Sequence, residues 1–348
     1  MKRYVSKTCP LVRQGYKPGS CQVEAGVDFL PACEATLRFE DGRWQRLIAS
    51  AHLSRPENYL SIYQSGCNFS CRKCHSWYFS KVAKGEWLTP LDIVRAARAY
   101  ENEVTLAEPR ERATAWHAHD TCQCCGACVL TGERSPRCPG ILEPGQITLS
   151  PQGFGPARNI VAFTGGDLTC RPDFYAECAE LIKAETRLWF LLETNGYGLT
   201  PGHLDLFQAS GVDAFWLDIK AEDPERHRWL TGCDNDWILR LPQEMRQRGF
   251  VVEVLSLYIP GVVEAEELGR IAALLAAVDP HIPFTVLAFF PEYQMREIRP
   301  PSVVEMIRAY EEAREAGLTQ VRLGNLGVFA RGVEDFRLLE ERVDGRAY

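Results

Sequence analysis

The sequence predicts an α/β fold, an incomplete (β/α)6 barrel of the TIM type, and three observations support this fold. From about residue 57 onward, short apolar runs alternate with amphipathic stretches. Two of the amphipathic stretches begin with a proline (Pro90 and Pro301), as expected in the first turn of a helix. Three are followed by a glycine (Gly211, Gly249 and Gly317), as expected at helix C-termini. Alternating strands and helices favour parallel βα units, and six such units fit an open barrel.

The individual elements follow from this alternation. The expected strands are 58–65, 159–164, 187–194, 213–219, 250–258, 283–289 and 319–323. The expected helices are 90–104, 172–185, 201–210, 236–248, 264–277 and 301–316. Barrels of parallel strands carry their chemistry at the C-terminal ends of the strands, so the segments that follow each strand are the candidate functional segments.

Two regions interrupt the alternation and suggest the domain organisation. Residues 1–56 form a cysteine-containing N-terminal extension with little periodicity, and the barrel occupies 57–330. Residues 106–157, rich in Cys, Gly and Pro, are too long for an ordinary βα connection, so we expect an inserted module there. Residues 331–348 are expected to form a C-terminal tail.

Composition excludes several classes of function. The 348 residues carry a net charge of −7 and no long basic run, which argues against a nucleic-acid partner. The longest apolar stretches, such as 271–278, are too short to span a membrane. No apolar segment of a secretory signal follows Met1-Lys2-Arg3-Tyr4, so we expect a cytoplasmic protein.

The fourteen cysteines are then unlikely to be disulfides, because the cytosol keeps thiols reduced. Clustered cytosolic cysteines favour metal ligation. Cys67, Cys71 and Cys74 are spaced C-x3-C-x2-C directly after the first expected strand. Three thiolates can fix a four-iron cluster while leaving one iron without a protein ligand, open to a substrate. The alternatives are a zinc knuckle and three unrelated buried thiols.

A second group of cysteines lies in the insert. Cys122, Cys125 and Cys128 are spaced C-x2-C-x2-C, and Cys138-Pro139 follows, as in bacterial ferredoxins but with nine residues in the last gap instead of three. This pattern predicts an auxiliary iron–sulfur cluster with four thiolate ligands, and a zinc site with four cysteines is the alternative. Cys124 is left over or replaces Cys122, and the nearby His117 and His119 are candidate ligands as well.

Four other cysteines have open roles. Cys9, Cys21 and Cys33 in the extension offer three thiols for a third metal site but no evident fourth. Cys170 follows the second expected strand of the barrel. It is an extra cluster ligand, a thiol that relays a radical, or a small buried apolar residue.

Three further strand ends carry polar motifs. The second expected strand ends in Gly165-Gly166-Asp167, where the glycines let the backbone approach a ligand closely. The third ends at Glu193-Thr194, and the fourth carries Asp218 and Lys220, whose side chains share one face of the strand. An ordinary βα turn and a salt-bridged strand end are the alternatives for these motifs.

These motifs together resemble the radical S-adenosylmethionine (radical SAM) superfamily. The cysteine loop matches the loop of that superfamily, Gly165-Gly166-Asp167 resembles its "GGE" motif, and the segments at 193–196 and 218–220 resemble the "DTNG" and "D-x-K" segments of pyruvate formate-lyase activating enzymes. Cys9-Pro10, Cys21 and the later strand ends are similar to AmmeMemoRadiSam-type proteins. The resemblance extends over most of 57–330.

The resemblance implies a set of cofactors and binding residues. The cluster on Cys67, Cys71 and Cys74 would be a [4Fe–4S] cluster that binds S-adenosylmethionine (SAM). The residues expected to bind SAM are Gly165, Gly166, Asp167, Thr194, Asp218, Lys220, His75 and Ser256. Glu193, Thr194 and Asp218 would bind a monovalent cation, and flavodoxin or ferredoxin would supply electrons.

The sequence departs from the family pattern at several positions. Asp167 replaces the usual Glu, and Glu193 replaces the usual Asp. Lys73 stands where many members have an aromatic residue that packs on adenine, so His75, Trp77 or Tyr78 is expected to supply that contact. The insert also follows the helix at 90–104, whereas related activating enzymes usually carry theirs before the first helix.

The resemblance implies an enzyme of anaerobic metabolism that cleaves SAM to a 5′-deoxyadenosyl radical, which takes hydrogen from a substrate. Two outcomes remain open: formation of a glycyl radical on a partner protein, and modification of a small molecule or peptide. The insert and residues 1–50 are each expected to be able to cap the barrel mouth. A non-enzymatic carrier of electrons or metal is the alternative from another class.

Overall fold

The computed structural model describes residues 9–348, so the prediction about Met1-Lys2-Arg3-Tyr4 lies outside the described residues. The described part of the chain contains fourteen strands. They are β1 Gln22–Ala25, β2 Asp28–Pro31, β3 Leu37–Glu40, β4 Arg43–Leu53, β5 Leu60–Gln64, β6 Glu86–Leu88, β7 Thr148–Ser150, β8 Gly153–Gly155, β9 Ile160–Gly165, β10 Trp189–Thr194, β11 Ala214–Asp218, β12 Val251–Tyr258, β13 Phe284–Ala288 and β14 Val321–Gly324.

The same residues contain fourteen α-helices and three short 3₁₀ helices. The α-helices are α1 Pro10–Arg13, α2 Ala32–Ala35, α3 Trp77–Ser80, α4 Pro90–Glu101, α5 Ala118–Thr121, α6 Ala127–Leu130, α7 Asp173–Glu185, α8 Pro201–Ser210, α9 Pro224–Thr231, α10 Leu241–Gln247, α11 Ala265–Val278, α12 Val303–Glu315, α13 Leu326–Phe329 and α14 Val333–Arg342. The 3₁₀ helices are Arg110–Arg112, Pro144–Gln146 and Ile238–Arg240. Within residues 9–348, no helix has the length and apolar character needed to cross a membrane.

One large sheet organises the chain and confirms the α/β prediction. Its strands run in the order β14-β13-β12-β11-β10-β9-β5-β4-β3, and β6 pairs with β4. The strands from β5 to β14 along this order are parallel, and they are the seven strands that the sequence predicts. The expected helices are present too, except that 236–248 divides into a 3₁₀ turn and α10.

Both ends of the chain contribute more structure than the sequence suggests. Strands β3 and β4 pair antiparallel onto β5, so residues 37–53 of the expected extension continue the barrel sheet. The expected tail forms α14, and its Leu339 is fully buried. The domain boundaries themselves stay predictions.

The parallel strands have two buried faces, with different residues on each. On β10, Phe190 and Leu192 belong to the large core between sheet and helices, whereas Leu191 belongs to a smaller core on the other face. The smaller core gathers residues near the starts of strands, including Ile160 and Ala214. Because strand side chains alternate, Glu193 lies on the same inner face as Leu191.

The first part of the insert closes the N-terminal end of this inner face. Ala113 and Ala115 are buried in the smaller core. The amide of Ala115 donates a hydrogen bond of 2.8 Å to Oε2 of Glu253, a residue of β12 that is fully buried. The insert therefore plugs the barrel end opposite the cysteine loop, and the expectation that it caps the mouth is wrong for this segment.

Arg158 holds the plug in place. Its guanidinium is fully buried and donates hydrogen bonds to the carbonyl oxygens of Thr114 (2.8 Å), Arg112 (2.7 Å) and Glu57 (3.2 Å). It also pairs with the carboxylate of Glu108 at 2.5 Å. Removing one partner of a buried ion pair costs far more than an exposed pair contributes, because the remaining charge stays buried and uncompensated.

We therefore expect Arg158→Met to lower the free energy of unfolding by roughly 3–5 kcal/mol. Urea denaturation monitored by circular dichroism measures this change. Arg187→Met, at a side chain that is 97% exposed, is the control and should shift stability by less than about 0.5 kcal/mol. Equal effects of the two substitutions would contradict the plug.

Candidate active site

A cavity of about 480 Å³ lies at the C-terminal ends of the parallel strands. Its lining includes Cys67, which follows β5, and Asn325, which follows β14. In a flat sheet, seven strands spaced about 4.8 Å apart would put the outer two roughly 29 Å from each other. Because both outer strands border one cavity, the parallel sheet curves around it.

The three cysteines of the first predicted cluster all face this cavity. The Sγ of Cys67 accepts hydrogen bonds from the amide of Phe69 (3.4 Å) and from Nδ2 of Asn195 (3.7 Å). The Sγ of Cys74 lies 3.3 Å from Oγ of Ser80. Burial raises the pKa of both the Cys67 and Cys71 thiols, so these thiols are neutral until a metal displaces their protons.

The cysteine loop is held from two sides by its backbone. The amide of Asn68 donates to the carbonyl oxygen of Asp167 at 2.9 Å. The amides of Ser70 and Arg72 donate to carbonyl oxygens of Thr231 (2.9 Å) and Leu230 (2.8 Å), at the end of α9. Helix α9 was missed by the sequence analysis, and it positions the loop.

The Gly165-Gly166-Asp167 segment packs directly against the start of the cysteine loop. Gly165 has a φ of +87°, a left-handed conformation that favours glycine. A Cβ on Gly166 would lie 2.6 Å from the carbonyl oxygen of Gln64 and would also collide with the carbonyl oxygen of Gly66. Gly165 and Asp167 line the cavity, whereas Gly166 keeps the two loops in contact.

The carboxylate of Asp167 is fully engaged by the protein. Oδ1 accepts hydrogen bonds from the amide and the hydroxyl of Thr169, both at 2.8 Å. Oδ2 accepts from the hydroxyl of Thr194 and the amide of Asn195, also at 2.8 Å. Asp167 therefore ties the β9 and β10 strand ends together, and Thr194 is part of this tie.

We expect Gly166→Ala to force the cysteine loop away from β9, because the colliding atoms belong to the backbone and cannot rotate away. The iron content after anaerobic reconstitution should fall, and the melting temperature should drop by several degrees. Gly145→Ala is the control, because an added Cβ there meets nothing within 4 Å. Normal iron content in Gly166→Ala would contradict this account.

Acidic groups line the inner wall of the cavity below the cysteine loop. Glu193 accepts hydrogen bonds from the hydroxyl of Tyr59 at 3.0 Å and from that of Thr164. Burial, opposed by these hydrogen bonds and reinforced by the nearby Glu57, raises the pKa of Glu193 to about 8. Glu57 also lines the cavity, and no sequence pattern indicates this position.

Asp218 and Lys220 face the cavity together, as the sequence predicts for two residues on one strand face. Oδ2 of Asp218 is paired with the ammonium of Lys220, whereas Oδ1 is buried and has no partner among the described residues. Burial opposes the charge on Lys220, but the carboxylate of Asp218 outweighs it and raises the pKa of the ammonium. Lys220 is thus a cation beside the cysteine loop.

Lys73 occupies the position expected for an adenine-packing aromatic residue, and its surroundings are aromatic instead. Its ammonium lies 3.6 Å from the ring centroid of Phe290 and 2.6 Å from Oε2 of Glu292. His75 lines the cavity and also contacts Glu292, through Nδ1 at 3.1 Å. Trp77 stacks on Tyr293 and does not line the cavity.

Ser256 is not where the resemblance implies. Its hydroxyl donates to the carbonyl oxygen of Ile219 at 2.5 Å, and the residue is fully buried outside the cavity. The reason is strand alternation: Leu255 and Leu257 line the cavity, so the residue between them points to the other face. The sequence analysis was wrong to place Ser256 among the SAM-binding residues.

The insert cysteines lie away from this cavity. Cys124 donates to Oδ1 of Asn58, just before β5, at 3.3 Å, and its amide donates to Sγ of Cys122 at the same distance. Cys125 contacts the hydroxyl of Ser135 at 3.5 Å, and the amide of Cys138 donates to the carbonyl oxygen of Ser135 at 2.9 Å. Cys128 lies on the short helix α6, one turn beyond Cys125.

Across residues 9–348, no three His, Cys, Asp or Glu side chains converge closely enough to hold one metal ion. This holds for the loop cysteines as well as for the insert. A four-iron cube takes each thiolate on a different iron atom, so its ligands need not converge on one point. The arrangement of the loop thiols around one cavity fits such a cube.

The raised pKa of Glu193 predicts a pH effect. Between pH 4.5 and about 8 the folded chain holds a proton on Glu193 that the unfolded chain has lost, so stability falls as the pH rises through this range. Glu193→Gln should flatten the profile by up to a few kcal/mol. A residual slope should remain from Glu253, whose pKa burial raises to about 7.

Urea unfolding at a series of pH values tests this prediction. Glu133→Gln, at an exposed residue of the insert, is the control and should keep the wild-type profile. Parallel profiles for wild type and Glu193→Gln would mean that Glu193 is ionised in the fold at neutral pH.

Comparison with known proteins finds similarity to one superfamily over part of the chain. Residues 152–270 match the model of the radical SAM superfamily, a range that begins after the cysteine loop. A putative glycyl-radical enzyme activating enzyme of Methanocaldococcus jannaschii is 28% identical over 157 residues, which cover 44% of this chain and 58% of that protein. A pyruvate formate-lyase-activating enzyme of Streptococcus mutans is 26% identical over 158 residues, covering 42% of this chain and 59% of that enzyme.

Solved structures show more distant similarity. A domain of a pyruvate-formate lyase-activating enzyme from Bacteroides vulgatus superposes with a TM-score of 0.42 at 17% identity, over 47% of this chain and 98% of that one. A radical SAM methyltransferase from Sphaerobacter thermophilus superposes with a TM-score of 0.48 at 12% identity, over 85% and 76% of the two chains. In the two activating enzymes described above, from Methanocaldococcus jannaschii and Streptococcus mutans, the matched region spans less than two thirds of the length of each protein.

Proposed function

We propose that this chain, which carries a radical SAM domain, is an enzyme that cleaves SAM reductively and removes hydrogen from a substrate. The observation that carries this proposal is the convergence of Cys67, Cys71 and Cys74 on one cavity at the strand ends. The comparisons support the domain, while the site residues rest on the geometry of this chain.

The residues present suit a [4Fe–4S] cluster and SAM. When bound, the cluster supplies one electron that splits the sulfonium of SAM into methionine and a 5′-deoxyadenosyl radical. The amide of Phe69 and Nδ2 of Asn195 donate hydrogen bonds to Sγ of Cys67. Such hydrogen bonds to a metal ligand stabilise its thiolate form. Lys220 supplies a positive charge for the SAM carboxylate, and Asp218 keeps that ammonium in place.

Gly165 and Asp167 would receive the amino group of SAM. The positive φ of Gly165 turns the β9 strand end toward the cavity. Asp167 contributes its negative charge, although its oxygen atoms already accept four hydrogen bonds from the protein. Phe290 and His75 are the groups available to pack on adenine, since Lys73 pairs with Glu292.

The substrate would lie deeper in the cavity, against Glu57, Glu193 and Trp216. The plug formed by the insert closes the far end, so a substrate enters only from the mouth. The two curated relatives are named as activating enzymes of glycyl-radical proteins, and we propose a polypeptide substrate of this kind. A small molecule or peptide is the second candidate, favoured by the acidic inner wall.

The remaining cofactors belong to the proposal as well. Cys122, Cys125, Cys128 and Cys138 are proposed to hold an auxiliary iron–sulfur cluster, supported by the contacts that Cys125 and Cys138 share at Ser135. A monovalent cation on Asp218 is supported by the unpartnered Oδ1, and Glu193 and Thr194 are its other candidate ligands. A flavodoxin or ferredoxin in the cytoplasm would supply the electron.

Anaerobic incubation with SAM and dithionite tests the proposal. Wild-type chain should form 5′-deoxyadenosine and methionine, and Cys71→Ala should reduce this by at least about three orders of magnitude, since the cluster loses a ligand. Cys178→Ala is the control, because Cys178 is buried in helix α7 away from the cavity. Wild-type product formation by Cys71→Ala, or none by wild type with a full iron content, would favour a metal or electron carrier.

A further inference from the structure

Four cysteines outside the cavity meet beside the cysteine loop. The hairpin of β1 and β2 pairs Gln22 with Pro31, and the amide of Ala32 donates to the carbonyl oxygen of Cys21 at 2.7 Å. Cys21 and Cys33 therefore lie side by side where the hairpin opens. This pairing could not be read from the sequence, in which the two residues are twelve positions apart.

Helix α1 brings Cys9 to the β9–α7 connection. The amide of Arg13 donates to the carbonyl oxygen of Cys9 at 3.2 Å, which fixes Cys9 at the start of this helix. A Cβ on Gly198 would collide with Leu11 on one side and lie 2.7 Å from Cβ of Cys170 on the other. Helix α1 and Cys170 thus meet over Gly198, whose φ of +85° leaves room for both.

The pKa directions of two of these thiols agree with a position close to the others. Burial first, and then the charges of Cys33 and Cys9, raise the pKa of Cys21 to about 11. Burial and Asp167, followed by Cys33 and Cys21, raise the pKa of Cys170.

The backbone places both pairs of cysteines at the same loop. A Cβ on Gly19, two residues before Cys21, would lie 2.6 Å from the carbonyl oxygen of Asn68. The amide of Asn68 donates to the carbonyl oxygen of Asp167, three residues before Cys170, at 2.9 Å.

We propose that Cys9, Cys21, Cys33 and Cys170 ligate a further [4Fe–4S] cluster, which nothing in the known similarities assigns. Four cysteines are the usual complement of a cluster that has no open iron. Cys9, Cys21 and Cys33 are half-buried at the edge of the core, and Cys170 is buried within it. Arg171 lies beside Cys33 and would offset the negative charge of such a cluster, although Glu34 opposes it.

The position of this group suggests its use. Burial, and then the carboxylate of Asp167, raise the pKa of Cys170. The backbone carbonyl oxygen of Asp167 accepts a hydrogen bond of 2.9 Å from the amide of Asn68, which adjoins Cys67. In the insert, by contrast, Cys124 contacts Asn58 at the other end of β5. A cluster on the four thiols would pass one electron from a flavodoxin or ferredoxin to the cluster on Cys67, being reduced and reoxidised in turn. This relay rests on the proposed function, but the metal site does not.

The test is the iron and zinc content of the full chain after anaerobic reconstitution with iron and sulfide. Cys9→Ser/Cys33→Ser, at two half-buried positions, should lose about four irons per chain relative to wild type. Cys178→Ser is the matched control and should lose none. Circular dichroism and thermal unfolding of each variant establish that the fold is kept.

A second background separates this site from the SAM-binding cluster. The triple variant Cys67→Ala/Cys71→Ala/Cys74→Ala lacks the loop thiols. Adding Cys9→Ser and Cys33→Ser to this variant should still remove about four irons per chain. The electron paramagnetic resonance signal of the reduced protein should decrease in parallel. An iron content unaffected by the pair in both backgrounds would overturn the proposal, and so would loss of zinc in place of iron. Neither outcome depends on SAM cleavage by the wild-type chain.

Discussion

The structure depends on how the backbone of the cysteine loop is fixed. Residues 65–76 form no helix or strand, yet three thiols on this loop must stand at the separations that one cluster requires. Hydrogen bonds from loop amides to the β9 strand end and to α9 provide that rigidity, each contributing about 1 kcal/mol. Gly166 and Thr231, which do not line the cavity, therefore help to position the loop thiols.

The seven parallel strands were predictable because both of their faces are buried, which produces continuous apolar runs. Their ends were then predictable too, and Asp167, Glu193 and Lys220 meet as expected because parallel strands end at the same edge of a sheet. Helix α9 was missed because its sequence, Pro-Glu-Arg-His-Arg-Trp-Leu-Thr, carries polar or charged residues at five of its eight positions. Its role comes from its last carbonyl groups, which no side-chain pattern reveals.

Ser256 and the cysteines of the extension show two further limits of the sequence. A shift of one position in the assignment of a strand exchanges the residues that face the cavity with those that face away from it. Both faces of β12 are buried and largely apolar, so the sequence does not distinguish the face that lines the cavity. Cys9, Cys21 and Cys33 suggested a metal site without a fourth ligand. Only the path of the chain over Gly198 shows that Cys170 lies against helix α1, which begins beside Cys9.

The two ends of the barrel differ in the hydrogen-bond partners of their buried polar groups. At the N-terminal end, Arg158 and Glu253 form hydrogen bonds with backbone groups of the plug. Each of these two buried polar side chains therefore has a partner in the insert. At the C-terminal end, Asp218 and Glu193 keep oxygen atoms that the chain does not satisfy or satisfies only with hydroxyl groups. Oε1 of Glu253 also lacks a partner among the described residues, but Glu253 lies outside the cavity that Asp218 and Glu193 line.

Asp167 is one methylene group shorter than the glutamate that the resemblance leads us to expect, and its carboxylate positions neighbouring groups of the protein. Its short side chain places Oδ2 at 2.8 Å from both the Thr194 hydroxyl and the Asn195 amide, while its own carbonyl oxygen holds Asn68. A glutamate would push the carboxylate beyond these donors and leave the β10 strand end untied. The tie matters because Nδ2 of Asn195 reaches Sγ of Cys67. In the proposed complex with SAM, backbone carbonyl groups at the β9 strand end would be the direct acceptors for the ammonium group, and Asp167 would act on it through charge alone.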